Sequence, residues 1–298
     1  APEEASFRTH SVGSPFWGTT IWTISFIKEL PTQDTSELID FSAASSQTLN
    51  RFRAGLSQRP RKYLPTLHFT DFYASMIIVH HLNNSRSQRV LWLLEELGLP
   101  YEVKRYERDP ATMSAPPELK AVHPLGKSPV ITDGDITVAE SGAIIEYLLE
   151  TYGAGRLQPA AGTPEKRQFN YFMHYAEGSL MPFLLMRLVF KRLPKQPMPV
   201  FVRPVATSIA EGVQEKYIDP QIKDHLDFLE STLNQSTWFA GEEFSAADIQ
   251  ISFPLEAAAA RAGLDASRPK LMAFLEQIHA RPAFLRALET GGPYDLLK

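Results

Sequence analysis

The sequence predicts two unlike halves, an α/β unit of order βαβ-α-ββα followed by an all-α region. Between Met76 and Tyr152, short strand-like apolar runs alternate with apolar stripes at helical spacing. Beyond a linker containing Gly155, Pro159 and Gly162 the strand signals stop and long amphipathic patterns take over. The chain has 298 residues, 44% of them hydrophobic, enough for two domains at roughly 150 residues each. The boundaries read as 76–155 for the α/β part and 161–298 for the helical part.

Residues 1–75 differ in texture, with Ser and Thr scattered among short apolar runs and a basic stretch, RFRAGLSQRPRKY, at 51–63. They lack the charged start, continuous apolar core and small-residue cleavage site of a secretory signal, and Glu3 and Glu4 speak against a transit peptide. Two readings stand open for them: a poorly ordered extension, or upstream sequence that the native protein does not carry because translation starts at Met76. The apolar run after Met76 then predicts a first strand. In NNSRSQRVLWLLEELG, the loop passes into a helix whose Val90, Leu93, Leu94 and Leu97 share a face, with Gly98 and Pro100 to end it. YEVKRY alternates as a half-buried second strand. An irregular segment with Pro110, Pro116 and Pro117 leads to HPLGKSPVIT, and Asp133-Gly134 supplies a turn into the strand Ile136 to Val138, predicting a hairpin. Ser141 precedes the helical stripe Ile144, Ile145, Leu148, Leu149 and Tyr152, which Gly153 stops. This order resembles the thioredoxin-like fold.

In the second half, helices are predicted over Glu165 to Arg192, Val205 to Leu233, Ser245 to Ala262 and Lys270 to Ala280. Between the first two lies KRLPKQPMPVFVRP, whose prolines at 194, 197, 199 and 204 preclude regular helix and make it a loop or flap. Ser245 with Asp248 forms a capping box, and Phe244 is placed as a hydrophobic staple, a pattern that serves stability rather than chemistry.

Composition removes several classes of function. The net charge is -4 and the 30 basic residues form no sustained block, so nucleic acid is not an expected partner. No apolar run approaches the roughly 18 residues of a spanning helix, the best being Ile21 to Ile27, so no membrane segment is expected and a soluble protein is. With no cysteine there is no disulfide, no thiolate metal site and no sulfur nucleophile of the protein's own. His80 and His81 are adjacent in a strand and point to opposite faces, so they do not chelate one ion, and no metal is expected. Any thiol chemistry has to come from a ligand.

HHLNNSRSQR, GKSPV, ESGAIIEYL and FSAADI, in that order between Met76 and about Leu288, resemble the glutathione transferases, and among them the serine-type bacterial and fungal members, whose first loop carries a serine four residues before an arginine. Here those are Ser85 and Arg89. The resemblance implies a cytosolic, homodimeric enzyme that transfers glutathione, its co-substrate, to a small hydrophobic electrophile. At the start of a helix, Ser85 sits beside unpaired N–H groups and the positive end of the helix dipole, where its hydroxyl would hold a thiolate. An ordinary thiol ionises near a pKa of roughly 8.5, and lowering it by about two units, roughly 2.7 kcal/mol, makes thiolate the dominant form at neutral pH. Asn84 and Ser87 stand close enough to share or replace this role.

The resemblance further implies a cis Pro129 that exposes the backbone of Ser128 to the cysteinyl part of glutathione, and Lys127 near the glycine carboxylate. It assigns Ser141 to the γ-glutamyl carboxylate and Glu140 to the amino group. Tyr171 and Tyr175, on the first long helix, are the candidates for the electrophile site. Peroxide reduction, dehalogenation or isomerisation on the same thiolate, or a non-catalytic binding or assembly module, are the alternatives, because a fold does not fix the second substrate.

Overall fold

The computed structural model describes residues 76–109, 112 and 114–297, so the readings for residues 1–75 lie outside the described part. Among the described residues, four strands form one mixed sheet of order β2-β1-β3-β4: β1 (Ile77–Leu82), β2 (Tyr101–Tyr106), β3 (Val130–Asp133) and β4 (Ile136–Ala139). β1 runs parallel to β2 and antiparallel to β3, with Val79 opposite Val103 and Ile131. Its position inside the sheet explains why IIVHHL is buried almost throughout, whereas YEVKRY, an edge strand, alternates. The hairpin forms at the expected place, Asp133 pairing with Ile136 across Gly134 and Asp135.

Helix α1 (Ser87–Leu97) crosses between β1 and β2, and Val90 to Leu94 are sealed in the core. Gly98 adopts φ 65 and lets Leu99 N–H reach back to Leu94 O at 3.0 Å, so the helix ends where the sequence says it should. A short α2 (Glu118–Val122) precedes β3, and α3 (Ser141–Tyr152) follows β4.

Helices α4 (Pro164–Tyr175), α5 (Met181–Arg192), α6 (Arg203–Val213), α7 (Asp219–Leu233), α8 (Ala246–Arg261), α9 (Pro269–His279) and α10 (Pro282–Gly291) complete the described fold. The sequence suggests one helix from Glu165 to Arg192 and another from Val205 to Leu233. Each is instead interrupted by a five-residue π turn, Ala176–Leu180 and Gln214–Ile218. Both turns end two residues before a proline, Pro182 and Pro220. A proline has no N–H for its turn and its ring crowds the carbonyl four residues back, and widening the preceding turn relieves that crowding. α10 is an element that the sequence pattern did not single out.

Helix α8 is the buried axis of this part, all but its last three residues being enclosed. The capping box is formed at its start: Ser245 N–H donates to Asp248 Oδ2 at 2.8 Å, and Phe239 N–H to Oδ1 at 2.9 Å. Phe244 packs on Trp92 and Trp238, ring centroids 5.7 and 5.0 Å away, and so joins α8 to the sheet half. No helix of the described residues is long and apolar enough to cross a membrane.

Candidate functional site

Lys127, Ser128, Pro129, Glu140 and Ser141 line one cavity of about 270 Å³, together with Arg86, His123, Leu125, Ala139 and Glu177. Three loop ends meet there: the entry to α1, the entry to β3 and the entry to α3. Gly126, at φ 58, sets the direction of the chain into Lys127, and a Cβ on it would lie 2.7 Å from the Lys120 side chain. The Ser128–Pro129 bond is cis. Ser128 Oγ–H donates to His80 O at 2.9 Å and accepts from Leu82 N–H at 3.3 Å, so this side chain fastens the β3 loop to β1. Its backbone stays outside the β3 ladder, which begins at Val130. Glu140 has φ 74 and ψ 127, a costly backbone for a residue with a side chain. It makes no side-chain cap bond to α3, which leaves its carboxylate to the cavity, while Ser141 is buried in the first turn.

Ser85 does not begin the helix. Arg86 is the N-cap and Ser87 the first helical residue. The N–H groups of Ser87 and Gln88 are bonded locally, to Ser85 Oγ and Ser85 O at 3.3 Å each. The dipole field and the Ser85 hydroxyl are open to an anion at this helix start. That hydroxyl, buried and not among the cavity's lining groups, lies 2.7 Å from Ser87 Oγ, which lies 2.9 Å from His81 Nδ1. Burial and the nearby Arg105 charge push the His81 ring down to about 4, so it is neutral at pH 7. The Gly291 backbone accepts from the ring, and with the proton assigned to Nε2 on that side, Nδ1 accepts from Ser87 Oγ–H. Ser87 Oγ then accepts from Ser85. In this arrangement Ser85 holds a proton that turning about its Cβ–Oγ bond can redirect.

The loop itself is clamped from two sides. Arg108 N–H donates to Asn83 Oδ1 at 3.1 Å. Asn84, at φ 50, exchanges two hydrogen bonds of 2.7 Å with Asp295, one through the Asp295 carboxylate and one through its N–H. Asn84 is thereby occupied in holding the loop, and Ser87 in orienting Ser85.

The helical half contributes Glu177, from the first π turn. Its carboxylate takes Arg86 Nε at 2.8 Å and Arg89 Nη1 at 2.7 Å. Burial alone would raise this carboxyl, but the Arg89 and Arg86 charges outweigh it and hold it below the usual range. Arg89 is fully enclosed, which lowers its own affinity for a proton, and it also donates to Gln250 Oε1 at 3.1 Å. The serine-to-arginine spacing read from the sequence thus joins the first loop to α8 and to the π turn. Arg86, His123 and Glu177 were not among the residues singled out from the sequence. Arg86 follows Ser85 directly, and Gly178 and Pro182 around Glu177 are the trace of the π turn.

Tyr171 and Tyr175 do not line this cavity. They stack on each other at 5.4 Å and pack against Phe228 of α7, and Tyr175 OH bonds to His225 Nδ1. That face of α4 is turned to α7, and only a helix-packing contact decided it. The rings of His80 and His81 are engaged separately, His80 Nδ1 with Tyr106 OH at 2.9 Å.

Family models match the chain in two stretches, the glutathione S-transferase N-terminal domain over residues 74–150 and the glutathione S-transferase C-terminal domain over residues 198–282. Glutathione S-transferase 3 of Schizosaccharomyces pombe is 40% identical over 183 residues, 61% of this chain and 74% of that protein. The chain belongs to the glutathione S-transferase family. Glutathione S-transferase 1 of Saccharomyces cerevisiae is 35% identical, covering 61% of this chain and 81% of that one. A crystal structure of the transferase from Actinobacillus pleuropneumoniae superposes with a TM-score of 0.62 at 36% identity, over 75% of this chain and 96% of that chain. The thioredoxin-like sheet followed by helices is the arrangement shared with these transferases.

Proposed function

We propose that the protein is a glutathione transferase in which residues 76–155 bind glutathione in the 270 Å³ cavity and residues 161–298 hold a hydrophobic electrophile. Ser85 turns its hydroxyl from Ser87 to the sulfur and stabilises it as thiolate, aided by the dipole of α1. The thiolate attacks the electrophile, and Ser85 forms no covalent bond. Lys127 faces the glycine carboxylate, the Ser128 backbone pairs with the cysteinyl peptide, and Ser141 and Glu140 take the γ-glutamyl carboxylate and amino group.

The observation that carries this reading is the convergence of five residues from two loops on one cavity, where Lys127 offers a cation and Glu140 an anion, beside the Arg86–Glu177 pair, to a peptide with two carboxylates and one ammonium. The test is a thiolate absorbance titration of bound glutathione, expected to move to acid by about two units from roughly 8.5. Ser85→Ala should reduce turnover about 100-fold with little change in glutathione affinity. Full activity in that variant would remove Ser85 from the mechanism.

A homodimer acting in the cytoplasm is part of the same proposal, carried by family membership. Light scattering on the purified chain checks the mass.

A further inference from the structure

A second cavity, of about 220 Å³, lies on α5 and α8. Its apolar wall is Met181, Leu184, Leu185 and Leu188 of α5 with Ala257 of α8. Its lining follows that of the first cavity along the segment from the π turn into α5. Glu177 of the first cavity and Met181 of the second are four residues apart through the π turn. Phe253, over whose ring the Arg86 and Arg89 guanidinium groups stand at 5.1 Å, is four residues before Ala257. Residues four apart on a helix are neighbours on one face, about 5–6 Å between their Cβ atoms. The apolar wall therefore starts one turn beyond the groups assigned to glutathione.

The mouth of this cavity is charged in one sense only. Arg187, Lys191, Arg192, Lys195 and Arg261 line it, and no acidic residue does. Arg187 is spent on structure, paired with Asp219 at 2.7 Å and donating to Arg261 O. The other four side chains are exposed and make no ion pair among the described residues. Four cations with no acid among the lining residues, Lys191 and Arg192 of them in the last turn of α5, give this mouth a positive field that favours an anion. About 150 Å³ suffices for benzene, so the wall accommodates one substituted aromatic ring.

We infer that this cavity is the electrophile site and that it selects small aromatic electrophiles carrying an anionic group, the ring lying on the α5 wall and the anion among Lys191, Arg192, Lys195 and Arg261. This inference rests on the transferase reading above. With an aryl chloride, the glutathione thiolate attacks the carbon bearing chlorine. The C–S bond forms, the C–Cl bond breaks, and chloride leaves with the electron pair. The thiol proton has already gone to solvent when the thiolate formed.

The test compares 4-chloro-3-nitrobenzoate with its methyl ester, which share ring and leaving group and differ in charge. The acid-to-ester ratio of kcat/KM should fall about tenfold in the double variant Lys191→Gln, Lys195→Gln, and should fall likewise as salt rises. A ratio unchanged by both overturns the inference, as does failure to turn over either compound. The thiolate titration, run alongside, separates the cases. An acid shift of the thiol with an unchanged ratio leaves the transferase reading standing and removes only the anion site, whereas no shift and no turnover remove both.

Discussion

The two halves of the molecule contribute to the cavity proposed for glutathione in opposite ways. In the sheet half the lining groups come from places where regular structure stops: Arg86 at the cap of α1, Lys127 to Pro129 before β3, Glu140 and Ser141 at the start of α3. Loop ends have backbone to spare, and two positions there, Asn84 and Glu140, carry positive φ without being glycine. The helical half brings Glu177 from the interior of a long helical segment, and a π turn is what presents it. Function at a strand end costs local backbone strain, while function in mid-helix costs a wider turn.

Removing Glu177 gives the largest expected effect and tests whether the π turn serves the fold as well as the site. In Glu177→Ala, Arg89 keeps its charge inside the protein with only Gln250 to accept from it, and Nε and Nη2 already lack partners. A loss of about 3–5 kcal/mol in urea unfolding is expected. A loss under about 1 kcal/mol would show the pair to be ornamental to stability.

Next in size is acid sensitivity on the sheet side. His81 titrates near 4 when folded and near 6.5 when unfolded, so the unfolded chain binds more protons between those values. Stability from this group is full above about pH 6.5 and is lost as pH falls toward 4, by about 3 kcal/mol. His81→Asn, which still offers a partner to Ser87, should flatten the decline in urea midpoint over that range. An unaltered decline would move the acid sensitivity elsewhere.

The smallest effect concerns strain. Glu140→Gly should raise stability by about 1 kcal/mol through relief of φ 74, while weakening glutathione binding. If thermal unfolding comes earlier instead, the Glu140 side chain contributes more to the fold than its backbone costs.

Most of the fold was legible because periodicity and punctuation agree: alternation in YEVKRY, the stripe Val90 to Leu97 closed by Gly98, the turn at Asp133-Gly134, and Ser245 with Asp248 ahead of α8. The π turns were hidden because one extra residue barely disturbs an amphipathic pattern, and only the spacing to Pro182 and Pro220 betrays them. α10 lies beyond the predicted helices although Pro282 opens it and Gly292 ends it. In the site, motifs at element ends pointed to Lys127, Ser128, Pro129, Glu140 and Ser141, which share a cavity. Glu177 depends on the phase of a distorted helix, and the aromatic pair Tyr171 and Tyr175 on which side of α4 meets α7, and neither can be read from local pattern.

The clamp on the Ser85 loop has a consequence in time. Asn84 and its partner Asp295 are 211 positions apart in the chain. At ribosomal speeds of about 5–20 residues per second, roughly 10–40 s of synthesis separates them. The sheet half can collect its strands early, yet the loop assigned to the sulfur waits for a segment that follows α10 before both of its sides are secured. A nascent chain halted before Asp295 would carry every group assigned to glutathione and still lack the fastening at Asn84, so the setting of this loop is tied to the arrival of the segment after α10.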